Sequence, residues 1–111
     1  MNFGKTLKKL RVDKNETLHQ VAMGTNIDAT QLSKFERNVR FPTIEQIYRI
    51  SKHFNTSMSD LTALVVSNKI INNYGLNDVT SKAINLVSEQ FISYNSDSKA
   101  KNENQIKKPH K

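Results

Sequence analysis

Cysteine is absent from these 111 residues, and so is tryptophan. The first absence removes disulfides, thiolate catalysis and cysteine-based zinc sites together, and it fits a reducing compartment. Only three glycines and two prolines are present, and no glycine-rich phosphate loop can be drawn. The three histidines, His19, His53 and His110, lie far apart. No His, Asp and Glu grouping has the spacing of a metal site or an acid–base pair. Neither an enzyme nor a metal or cofactor site is therefore expected. The longest unbroken apolar run is Ala-Leu-Val-Val at 63–66, far short of a membrane span. The start, Met-Asn-Phe-Gly-Lys, has no signal-peptide apolar region. A cytoplasmic protein that stays out of the membrane is the expectation.

Positive charge is what the chain has in excess. Lysine and arginine number 17 against 10 acidic residues, a net +7. Residues 1–66 hold ten basic and six acidic side chains, 67–94 two of each, and 95–111 five and two. A basic first half and a basic tail thus flank a neutral middle. That distribution fits a polyanionic partner and a separate segment that packs.

The central stretch, residues 17–37, reads as two short helices about a tight turn. Thr17 with Gln20 makes a capping box for the first, and Asp28 with Gln31 repeats the pattern for the second. Val21 and Ala22 face inward on the first, Leu32 and Phe35 on the second, and Ile27 fills the turn. At 100° per residue from Asp28, Leu32 and Phe35 fall near about 40° and 340°, on the side of Asp28. Thr30, Ser33, Lys34 and Arg37 fall between about 140° and 240°, on the opposite side. One face packs; the other presents hydroxyls and cations, as a major groove requires.

These residues closely resemble the phage-repressor (Cro-like) helix-turn-helix family. The resemblance covers roughly Phe3 to Leu64. It is carried by Leu7-Lys-Lys-Leu-Arg11, Val21-Ala22, Leu32-Ser-Lys-Phe-Glu-Arg37, Pro42-Thr43 and Leu61. It implies an all-α, five-helix lambda-repressor-like DNA-binding domain. It also implies that Arg11 pairs with Glu36, giving that carboxylate a structural role. Two departures stand out: Leu18 occupies a position where the family often has glutamine, and Asn38 replaces the glycine that usually ends the recognition helix. Asparagine tolerates the left-handed conformation, so the stop is expected to survive.

In order along the chain, the first helix is expected over Phe3–Asn15, with Phe3, Leu7, Leu10 and Val12 inward. Pro42 sets up Thr43 as the next cap, with Gln46 completing a box. Ile44, Ile47, Ile50 and Phe54 are expected to close the core from a fourth helix, with Phe41 as a plug. A fifth helix starts at a cap near Ser57, boxed by Asp60, with Leu61, Leu64, Val65 and Ile71 along its stripe. Tyr74-Gly75 reads as a stop. A sixth, from Val79 to about Tyr94, carries Val79, Ala83, Leu86, Val87, Phe91 and Tyr94 on one side. So apolar a helix does not rest in water alone. The expected division is a DNA-binding domain at 1–66, a dimerising extension at 67–94 and a disordered basic tail at 95–111.

The leading functional expectation is a sequence-specific regulator that binds double-stranded DNA as a homodimer on a palindromic operator. Base contacts are expected from Ala29, Thr30, Ser33 and Lys34. Backbone contacts are expected from Thr17, His19, Arg37, Asn38, Arg40 and Thr43. Leu64, Val65, Ile71, Val79, Ala83, Leu86, Val87 and Phe91 are expected to dimerise. Small stand-alone proteins of this kind resemble the controllers of restriction–modification systems and some helix-turn-helix antitoxins. In the latter case the sixth helix would hold a toxin; polymerase is another protein partner to consider. A protein–protein adaptor is the alternative, and the groove-facing cations Lys34, Arg37 and Arg40 argue against it.

Overall fold

The computed structural model describes residues 2–102, with side chains through Ser96. Six helices follow one another: α1 (Phe3–Asp13), α2 (Leu18–Thr25), α3 (Ala29–Glu36), α4 (Ile44–Phe54), α5 (Met58–Tyr74) and α6 (Asp78–Asn102). Among the described residues there is no strand, and the fold is all-α. The chain forms two compact units, the first ending at Asn73 and the second starting at Tyr74.

The first unit is built around Phe3, Leu7, Val21, Ile27, Leu32, Phe35, Ile47, Ile50, Leu61 and Val65, all buried. Leu10, Leu18, Ala22, Phe41, Phe54, Met58 and Leu64 pack around them half-buried. Helix α3 lies against α1 and α2, and α2 also rests on α4. Two expected core positions fall outside, and Ile71 of the fifth-helix stripe is exposed as well. Val12 is 56% exposed, because nine residues from Phe3 turn a helix by about 180°, to the opposite face. Ile44 is 61% exposed; it opens α4, and side chains lean toward the helix N-terminus, past the last covering neighbour. Ile71, at 44%, sits where α5 runs beyond the core.

Helix ends follow a common rule. Asn15, Asn26, Asn38 and Asn55 all take positive φ, between 51° and 60°, just past α1, α2, α3 and α4. Asparagine is among the few non-glycine residues that visit this region readily. At α1, α3 and α4 the next residue closes a Schellman-type bond five residues back: Glu16 N–H to Arg11 O at 3.0 Å, Val39 to Lys34 at 2.9 Å, Thr56 to Ser51 at 3.0 Å. The boxes Thr17–Gln20 and Thr43–Gln46 form as expected, each with both reciprocal bonds. Asp28 does not cap: its side chain makes no bond to the start of α3, so the expected Asp28–Gln31 box is absent. Ser57 Oγ accepts from Asp60 N–H at 3.1 Å at the start of α5.

The first compact unit runs to Asn73, past the expected boundary at 66; α5 continues unbroken through that point, and Asn68 accepts from Phe3 N–H. Val65, expected to dimerise, is instead buried in that unit's core, and Leu64 packs half-buried against it. In the second unit, Gly75 at φ 86° follows α5, and Asn77 caps α6. Its Oδ1 accepts from Val79 N–H at 2.9 Å and Thr80 N–H at 3.1 Å. Within this single-helix unit Val79, Leu86, Val87, Phe91 and Tyr94 are uncovered, and Ala83 is exposed as well. Helix α6 runs on to Asn102, into the stretch expected to be disordered. No glycine or proline occurs between Asp78 and Asn102 to stop it. The rest of the expected basic tail lies outside the described residues.

Candidate nucleic-acid interface

Helix α3 presents the expected outer face. Thr30 is exposed, and Ala29, Ser33 and Lys34 are half-buried. Arg37, the residue that closes the helix, is exposed and folds its Nε back to donate to Ser33 Oγ at 3.4 Å. Arg40 is exposed on the loop that follows. Thr17 and Thr43 stand exposed at the starts of α2 and α4. Each hydroxyl accepts from the backbone of its own first turn, which leaves its proton free to donate outward. His19 is exposed on α2.

The one acidic residue within α3 is turned away from this face. Glu36 accepts from Arg11 Nε at 2.7 Å and from Nη2 at 3.2 Å, a bidentate pair. The side chains are 8% and 16% exposed. Arg11 also donates from Nη1 to Glu16 O at 3.0 Å. Its pKa is raised above the ordinary value, chiefly by the hydrogen bond to Glu36 and against the desolvation of the site. The carboxylate that would repel phosphate is thereby held inside, and Lys34, Arg37 and Arg40 keep the outer face positive.

Asn38 also has a role inside the unit. Its Oδ1 accepts from Gly4 N–H at 3.0 Å and its Nδ2 donates to Asn2 Oδ1 at 3.0 Å. The amide is tied into the unit through these bonds, and its second Nδ2 hydrogen is uncommitted. The position marks the exit of α3, where a helix stop was expected, and the side chain serves the same end.

Other determinants are not apparent from motifs. Arg49 on α4 donates from Nη1 to Asn26 O at 3.1 Å and Thr25 O at 3.4 Å, and from Nη2 to Glu45 Oε1 at 2.9 Å. It thus ties off the carbonyl end of α2 at the turn before α3; only the Glu45–Arg49 spacing signals it. Leu18, in place of glutamine, packs on the core instead of making a polar contact. Gln31 Oε1 and Thr6 Oγ1 are buried without a hydrogen-bond partner. At the opposite edge, His53 Nε2 lies 2.7 Å from Glu16 Oε1. Lys14 Nζ donates to His53 O at 3.0 Å. The His53 hydrogen bond, aided by the charges of His53 and Lys14, lowers the Glu16 pKa despite desolvation. Among the described residues no group of three metal-ligating side chains comes together.

Two short helices about a turn, with the second presenting this face, define a helix-turn-helix protein. The sequence profile of a helix-turn-helix domain family matches residues 4–75, and the chain belongs to that family. Among curated proteins it is similar to the HTH-type transcriptional activator BcrR of Enterococcus faecalis, at 34% identity over 61 residues. That match covers 55% of this chain but only 30% of the relative, so the chain spans less than a third of that protein's length. No solved structure gives a significant match. No described helix is long and apolar enough to cross a membrane.

Proposed function

We propose that the chain is a sequence-specific, double-stranded-DNA-binding transcriptional regulator that acts as a homodimer on a palindromic operator. The observation that carries this reading is the division of α3: hydroxyls and cations outward, and the Glu36 carboxylate clamped inward by Arg11. An adaptor that used the fold for protein contact would have no use for that separation of charge. Ala29 and Thr30 lie at the N-terminal end of α3, the part of a recognition helix nearest the base edges. A methyl group there meets thymine, and a hydroxyl can bond to several bases. Ser33 and Lys34, about a turn on, reach the next edges. Arg37, Arg40, His19 and the helix starts at Thr17 and Thr43 grip phosphate.

Dimerisation is assigned to α6, through Val79, Ala83, Leu86, Val87 and Phe91, with Ile71 of α5 as a further exposed apolar position. A 25-residue helix that forms a unit of its own has no core to bury this side. Two copies would set their recognition helices about 34–36 Å apart, one turn of duplex. The cytoplasm is where such a regulator would work. A toxin seated on α6 is the other reading of the same surface, as in an antitoxin.

Selection of bound duplexes from a random pool tests the reading. The expected product is an inverted repeat with half-site centres about 10 base pairs apart. Light scattering of the full chain, against a chain ending at Asn73, should give a dimer and a monomer. A pool with no enriched motif would overturn the sequence-specific reading, and a monomeric full chain would overturn the homodimer.

A further inference from the structure

The first turn of α1 is held by three asparagines from three different elements. Its first three N–H groups have no partner inside the helix. Phe3 N–H donates to Asn68 Oδ1 of α5 at 2.7 Å. Gly4 N–H donates to Asn38 Oδ1, at the exit of α3, at 3.0 Å. Lys5 N–H donates to Asn2 Oδ1, the ordinary cap, at 2.8 Å. Asn38 Nδ2 then donates to Asn2 Oδ1 at 3.0 Å, joining two of the three amides.

The backbones are also in close contact there. A Cβ built on Gly4 would come within 2.5 Å of Glu36 O and 2.8 Å of Phe35 O, the last carbonyls of α3. Phe3 is fully buried, so this turn cannot slide outward without opening the core. The α1 N-terminus is therefore wedged between α5 on one side and the end of α3 on the other. Asn38 itself sits at φ 58° and turns the chain from Arg37 toward Val39 and Arg40. The bond from Gly4 N–H to Asn38 Oδ1 thus ties the first turn of α1 to the turn that carries Arg37 and Arg40.

We infer that Asn68 of α5 is a positioning residue for the DNA-binding face. Through Phe3, Gly4 and Asn38 it holds the exit of α3, and with it the guanidinium groups of Arg37 and Arg40. This rests on the DNA-binding reading above. Asn68 contacts neither arginine, so its effect on binding must pass through the asparagine chain. Asn68→Ala removes the acceptor of a part-buried N–H, and the first turn of α1 relaxes away from the end of α3. Asn68→Asp keeps an acceptor at the same place, and a carboxylate suits a helix N-terminus.

The test uses the full chain and the tightest duplex recovered from the random pool, at a temperature where circular dichroism shows each variant folded. Asn68→Ala should weaken binding about 5- to 20-fold and flatten its salt dependence, while Asn68→Asp restores most of both. In an Arg37→Ala/Arg40→Ala background the same Asn68→Ala change should weaken binding less than twofold. A scaffold role alone would lower the melting temperature and leave that double-mutant cycle additive. Additivity, or unchanged affinity in the folded Asn68→Ala chain, would overturn the inference. Amide exchange at Val39 and Arg40 in the free chain tests the linkage without DNA: Asn68→Ala should speed it at least fivefold, and no change would refute it. Failure of the wild-type chain to bind any duplex would instead count against the DNA-binding reading, and the exchange result would stand apart from it.

Discussion

Replacing Glu36 with alanine should destabilise the first unit severely, although the residue belongs to the helix proposed to read DNA. Glu36 accepts both arms of Arg11 at 2.7 and 3.2 Å, and the two side chains are 8% and 16% exposed. Exposed pairs contribute about 0–1 kcal/mol. Removing one partner of a buried pair costs about 3–5 kcal/mol, because the other charge is left without compensation. This pair lies near the buried limit, but Arg11 keeps its bond to Glu16 O and retains some access to water. A loss of about 2–4 kcal/mol follows. For a unit of this size, that corresponds to a fall in Tm of roughly 10–30 °C. Thermal unfolding of the full chain followed by circular dichroism measures it. The control is Arg11→Met/Glu36→Leu, which buries two apolar chains in place of the pair and should recover most of the loss. A Glu36→Ala chain that melts within about 3 °C of wild type would refute the reasoning. So would a double variant no better than the single one.

Lys34→Ala should relax base preference at particular operator positions at a cost of roughly 1–3 kcal/mol on the best site, whereas Arg37→Ala should weaken all sequences alike and lower the salt slope; a panel of single-base operator mutants at two salt concentrations separates them, and the reverse pattern would sink this placement of α3. If the proposed dimer makes roughly six to ten phosphate contacts, wild-type affinity should fall on the order of 10³–10⁵ between 50 and 200 mM salt. Gly24→Ala should cost about 1–3 kcal/mol, because a Cβ there collides with Cε1 and Nδ1 of the His53 ring. In a His53→Ala background the same change should be neutral or stabilising by up to about 1 kcal/mol, the helix-propensity difference; urea unfolding of the four chains shows whether the sign reverses. Glu16 titrates below its ordinary 4.5 when folded. The unfolded chain therefore takes up that proton first as pH falls, and the stability Glu16 contributes is complete above about 4.5 and lost below it. The stability gap between wild type and Glu16→Gln should narrow between pH 6 and pH 3; an unchanged gap would show that the Glu16–His53 contact is not linked to folding.

Local patterns decided the helices and most of their ends. The boxes at Thr17 and Thr43 and the spacing of Leu7, Val21, Leu32, Phe35, Ile47, Ile50 and Leu61 each depend on residues within a few positions of one another. Helical geometry converts such spacings directly into faces and caps. The outward set on α3 was legible for the same reason, and the Arg11–Glu36 pair was implied by the family resemblance. Where a side chain's surroundings come from distant parts of the chain, spacing alone did not suffice. Ile44 and Val65 belong to equally convincing stripes, yet one is exposed and the other buried, because burial depends on where the neighbouring helices end. Asn38 lies on a loop that spacing marks only as an exit, and its amide bridges Gly4 and Asn2, some 34 and 36 residues away. Asn68 looked like an unremarkable polar residue beyond a finished domain until α5 brought it to Phe3, 65 residues earlier in the chain. A hydrogen bond has no sequence signature when its partners meet only through folding. The first compact unit takes in Asn68 and all of α5 but its last residue, an extent that depends on contacts between distant residues and not on local spacing.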